Sequence, residues 1–83
     1  MKKYTKKPIE VEAIQFFEEN LEDVFNFLGD FPHKYFASEK MIVIYSLEGN
    51  LLAGQGDYIV KGIYDEFYPC KHDVFQKQYL EVK

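Results

Sequence analysis

Apolar and polar positions alternate from Pro8 to Phe16, with Ile9, Val11 and Ala13 on one side and Glu10 and Glu12 on the other. A period of two predicts a half-buried strand, with the odd positions toward the core and a carboxylate-bearing solvent face. Pro8 suits a first strand position, and the phase changes at Ile14 and Phe16, where a bulge or an end of pairing is expected. The period then lengthens. Leu21, Val24, Phe25 and Leu28 fall at i, i+3, i+4 and i+7, which predicts a helix over Asn20 to Leu28. Asn20 is the expected N-cap, answered by Asp23 in the manner of a capping box. Glu18, Glu19, Glu22 and Asp23 complement the positive end of the helix dipole, and Gly29 supplies the residue past its C-terminus.

Asp30 to Lys40 reads as a polar connection anchored by Phe31, Tyr35 and Phe36. Met41 to Leu47 is a near-continuous apolar run of strand length, the pattern of a central strand covered on both faces. Glu48-Gly49-Asn50 is a hairpin signal, with Leu51 to Ala53 as the return strand. Gly56-Asp57 opens the most aromatic stretch of the chain, with strands at Tyr58 to Lys61 and Glu66 to Cys70 reversing at Tyr64-Asp65. Pro69 lacks an N–H, which makes that second strand an edge. Asp73 is expected to cap one helical turn that packs Val74 and Phe75 inward, and Tyr79 to Val82 to close as a last strand. The sum is an α+β domain over residues 1–83: a small, twisted, mostly antiparallel sheet or partial barrel of six to seven short strands with one covering helix.

Composition sharpens this picture. Eighty-three residues lie near the lower end of what folds unaided, but the chain holds seven Tyr and eight Phe, each ring able to bury roughly 150–250 Å². No run approaches the ~18 apolar residues of a membrane span, and the basic start is followed by no apolar segment of a signal peptide. A single cysteine, Cys70, leaves no internal disulfide and fits a reducing compartment, so a cytoplasmic protein with no membrane partner is expected. Net charge is −4, and all ten basic residues are Lys. Arg supplies the bidentate contacts to phosphate and guanine, so its absence together with net acidity argues against nucleic acid. Lys2, Lys3, Lys6 and Lys7 form the one basic cluster, read as a solvated segment that guards an edge against pairing.

Reactive types cluster only at Cys70, His72 and Asp73. A thiol nucleophile needs an imidazole within hydrogen-bond reach and a third group to orient it; a metal needs three or four ligands, and only His33 and scattered carboxylates remain to complete a set. The plainer reading is a structural Cys, an exposed His and a capping Asp. No catalytic residue, metal site or cofactor is therefore assigned. Asp57 reads as a turn residue bonding its own backbone. The tyrosines stand out, because such rings give rigid amphipathic contact area. Tyr58, Lys61, Tyr64, Tyr68 and Lys71 make up the candidate binding set.

Residues along almost the whole chain carry a resemblance. Lys6-Lys7-Pro8-Ile9-Glu10-Val11-Glu12-Ala13-Ile14-Gln15, Phe27-Leu28-Gly29, Leu47-Glu48-Gly49, Gly56-Asp57-Tyr58-Ile59-Val60-Lys61-Gly62 and Glu66-Phe67-Tyr68-Pro69-Cys70-Lys71 resemble short phage and prophage proteins of Gram-positive hosts. Their mark is Pro-Gly-Asp-Tyr/Trp, then Ile-x-Lys-Gly, then Gly-Glu-Phe-Tyr-Pro-Cys-Lys-Pro-Asp. Gln55 replaces the family's Pro, Tyr64-Asp65 its frequent Asn-Gly, His72 a Pro and Gln78 a Thr. The resemblance implies phage origin and hands over no catalytic residue. The expected function is a non-enzymatic accessory protein acting on a host or phage protein, with a homodimer as a possible assembly. The alternative from another class is a protein that sequesters a nucleotide-like small molecule between tyrosines and lysines.

Overall fold

The computed structural model describes residues 1–5 and 8–82; Lys6 and Lys7 of the basic cluster lie outside the described residues. The architecture is α+β, with six antiparallel strands in two three-stranded sheets and two helices. The strands are β1 (Glu12–Gln15), β2 (His33–Phe36), β3 (Met41–Ser46), β4 (Gly49–Ala53), β5 (Tyr58–Lys61) and β6 (Phe67–Cys70). The helices are α1 (Leu21–Leu28), entered through a 3-10 turn at Glu18–Asn20, and α2 (His72–Gln78). One sheet has the order β1-β5-β6 and the other β2-β3-β4, with β6 lying against β3 and β4. The barrel does not close.

The core sits between the two sheets and α1. Phe16, Val24, Ile42, Ile44, Ala53 and Ile59 are fully buried there, and Leu28 and Phe67 nearly so. The apolar run at β3 becomes the middle strand of its sheet, with Ile42, Val43 and Ile44 all buried. Helix α1 buries Val24 and Leu28. It stops at Gly29, whose φ of 56° lies in the left-handed region and whose N–H reaches Phe25 O at 2.9 Å. Phe27 and Phe31 extend the core by meeting the Phe67 ring at 5.3 and 5.1 Å.

Several expectations are corrected. Asn20 occupies the N-cap position of α1 as expected, but its side chain makes no capping bond: its Oδ1 accepts the Phe17 N–H (2.9 Å) and its Nδ2 donates to Gln15 O (2.8 Å), so the side chain folds back and no capping box with Asp23 forms. His33–Phe36 is a strand rather than a connection, because β3 offers an edge and Tyr35 and His33 lie opposite Ile42 and Ile44. Tyr79 to Val82 forms no strand, and Leu80 and Val82 stay exposed. Asp73 accepts the Val74 N–H but does not cap α2, which begins one residue before it, and Val74 faces solvent. The phase of the first strand is also reversed. Ile14 and Phe16, the bulkier pair, take the core, while Ala13 and Ile9 are exposed. Where both faces of a strand carry apolar residues, the larger buried area sets the register.

Candidate functional site: an aromatic groove on the outer sheet face

The site begins at a tight joint. Gly56 adopts φ 90°, open to glycine at no steric cost. Its N–H donates to Phe16 O at 2.7 Å, and Phe16 N–H donates to Asp57 O at 2.8 Å. The buried Asp57 carboxylate accepts the Gly54 N–H (2.9 Å) and pairs with Lys71 Nζ (3.3 Å). This locks the turn that feeds β5 into the middle of its sheet. Strand alternation then sends Ile59 into the core and Tyr58 and Val60 to the opposite face. In register, Val60 faces Tyr68 and Ala13, and Tyr58 faces Cys70. The outer face of this sheet is therefore a platform of rings and small apolar side chains.

Helix α2 lies beside that platform. Its Phe75 ring stacks on Tyr58 at 3.8 Å and 7°, and Tyr79 stacks on Phe75 at 4.7 Å. His72 is a second ring stacked on Tyr58, at 6.1 Å, and Gln76 donates to the Tyr58 hydroxyl at 3.3 Å. The Tyr68 and Tyr79 hydroxyls meet at 3.5 Å. Between this aromatic wall and the Pro8–Val11 segment runs a groove of about 1340 Å³, floored by Tyr58, Tyr68 and Ala13 and bounded at its end by Leu80 to Val82. That volume exceeds the roughly 300–1,000 Å³ of small-molecule pockets. Ile9, Val11 and Ala13, expected in the core, line this groove instead.

The five candidate binding residues do not converge. Tyr58 and Tyr68 share the groove floor. Lys61 lies three residues from Tyr58 and thus on the other sheet face, where it pairs with Asp65 at 3.8 Å. Tyr64 is 83% exposed at the β5–β6 turn, away from the groove floor, and that turn takes its positive φ at Asp65 rather than at Tyr64. Lys71 is held by Asp57. Most of the groove lining lies outside that set, Phe75 and Tyr79 foremost; their i, i+4 spacing along and just past a short helix is the signal that marks them.

The titrations follow from burial. Cys70 is half-buried, and desolvation, then the Asp57 and Asp73 carboxylates, raise its thiol above the ordinary 9.0. That keeps it protonated at neutral pH, the opposite of an activated nucleophile. The one imidazole near it in sequence, His72, stacks on Tyr58. Among the described residues no three His, Cys, Asp or Glu gather to hold a metal ion. Burial, then the Tyr79 hydroxyl, raises Tyr68 well above 10.0, and burial also raises Tyr35. A raised acid in the folded state holds its proton where the unfolded chain releases it. This stability is therefore complete below the ordinary values and declines as pH climbs past about 9 and then 10. The urea midpoint is expected to fall between about pH 8 and about pH 10.5, and to fall less in Tyr68→Phe, whose ring cannot ionise. An equal fall in both proteins would contradict the assignment.

Fold and site together define a small α+β domain with an open aromatic groove. No family model matches this chain, and no curated protein or solved structure is detectably similar to it. No helix among the described residues is long and apolar enough to cross a membrane.

Proposed function

We propose that this protein is a non-enzymatic binding protein, a phage or prophage accessory factor that acts in the host cytoplasm by engaging a host or phage protein through the outer-face groove. The observation that carries this reading is the groove itself: a wide aromatic floor and wall with an apolar rim in which Ile9, Leu80 and Val82 stand 53%, 93% and 71% exposed. Rings of this kind are the anchors of protein interfaces, with large contact area at low entropic cost. Phage origin rests on the resemblance of Gly56 to Gly62 and Glu66 to Lys71. The raised Cys70 thiol supports a role without covalent chemistry. Sequestration of a nucleotide-like molecule is disfavoured, because Lys61 and Lys71 are turned to other partners and do not face the tyrosine floor.

Affinity capture from a Gram-positive host lysate tests this. The same protein is expected on wild type and on Cys70→Ser, and to be lost on Tyr79→Ala, which opens the groove wall without touching the core. Loss of capture in Cys70→Ser would point to thiol chemistry, and retention in Tyr79→Ala would move the interface elsewhere.

A further inference from the structure

The charge around the groove narrows the partner. The ionisable groups that line it, apart from the tyrosines, are Glu10, Glu66 and Glu81, three carboxylates; no lysine lines it among the described residues. They come from three separate parts of the chain, the segment before β1, the β5–β6 turn and the C-terminal segment, and they surround an apolar and aromatic interior rather than one another. Glu66 is fixed by accepting the Tyr64 N–H at 3.1 Å. Among the described residues, Lys71 pairs with Asp57, Lys61 with Asp65 and Lys40 with Glu18, and Lys34 sits over the Phe36 ring. Carboxylates set among the exposed apolar side chains of this rim repel polyanions and attract cations, and the net charge of −4 extends that attraction outward. Tyrosine faces also accept ammonium and guanidinium groups favourably.

We infer that the groove takes a basic, apolar peptide segment of its protein partner, with alternating or helical Lys/Arg at the rim and Leu, Ile or aromatic side chains on the Tyr58–Tyr68 floor. This rests on the binding reading above and adds to it the chemistry of the partner. The arrangement selects against nucleic acid and acidic peptides by repulsion as much as it selects for its ligand by contact.

The probes are two fluorescent synthetic peptides of equal length and identical Leu/Tyr pattern, one with Lys and one with Glu at every polar position, read by anisotropy. The Lys peptide is expected to bind and the Glu peptide not to. Binding of the Lys peptide should weaken at least about tenfold in Glu10→Gln/Glu66→Gln/Glu81→Gln, the order expected for three partly screened rim charges. It should also weaken as salt is raised. Gln at position 66 keeps the acceptor for Tyr64 N–H, so the turn survives. Equal binding of both peptides, binding of neither, or an unchanged affinity in the triple variant would each overturn the inference. So would self-association of the protein alone that excludes the Lys peptide, which would make a second copy the occupant. If lysate capture survives the triple variant but not Tyr79→Ala, the binding reading stands and the basic-peptide inference falls; if capture survives Tyr79→Ala as well, the reading itself falls.

Discussion

Phe16→Ala is expected to remove most of this domain's stability. The ring is fully buried at the junction of both sheets, edge-on to Tyr35 at 6.4 Å, and its backbone makes two hydrogen bonds to the Gly56-Asp57 joint. Truncating a buried Phe costs about 3–5 kcal/mol. A chain of this length holds a total of roughly 4–12 kcal/mol at typical per-residue values. The variant therefore sits at or near its unfolding threshold, and urea unfolding followed by circular dichroism measures the loss. Phe17 is the control, because its side chain is 40% exposed and points away from the core. Phe17→Ala should cost about 1 kcal/mol or less, the usual range for surface changes. A Phe16→Ala midpoint close to wild type would contradict the reversed phase of β1.

Phe75→Ala is expected to abolish partner binding while leaving the core folded. Helix α2 has seven residues, too few to persist in water by itself, and none of them belongs to the buried core. Its attachment is the ring column Tyr58–Phe75–Tyr79. Each aromatic pair contributes about 0.5–1.5 kcal/mol beyond area burial. Losing the middle ring frees the helix, and with it one wall of the groove. Anchor losses of about 2–4 kcal/mol correspond to roughly 30- to 1,000-fold in affinity. The far-ultraviolet signal should drop by no more than one short helix, with the cooperative unfolding transition retained. Unchanged partner binding in a variant shown to have lost α2 would remove the groove from the account.

Much of the fold is written locally in the chain. The stripe of α1, the continuous run of β3, the Gly56-Asp57 joint and the edge position of Pro69 each rest on a signal within a few residues, and each is found; the turn expected at Glu48-Gly49-Asn50 falls instead at Leu47-Glu48, with Gly49 and Asn50 already in β4. What local signals leave open is set by partners distant in sequence. His33 to Phe36 mixes polar and aromatic residues without clear alternation, so only the edge of β3 makes it a strand. Tyr79 to Val82 alternates like a strand and pairs with nothing among the described residues. Ile9, Val11 and Ala13 carry real alternation, but alternation alone does not say which face is the core.

The site divides the same way. Tyr58 and Tyr68 were identifiable from their aromatic setting. Lys61, Tyr64 and Lys71 fell in the same stretch of sequence, but pleating and the turn send them elsewhere. The groove's third side comes from residues more than forty positions earlier in the chain, a juxtaposition that the antiparallel β1–β5 pairing creates.

The central claim is that this domain acts by holding another protein in its aromatic groove. A native mass spectrum of the wild-type protein purified from a Gram-positive host lysate tests it most directly. The account predicts an added mass of protein size on the monomer or dimer, absent from the same preparation of Phe75→Ala. A discrete addition of small-molecule size on wild type, with no protein partner, would contradict it.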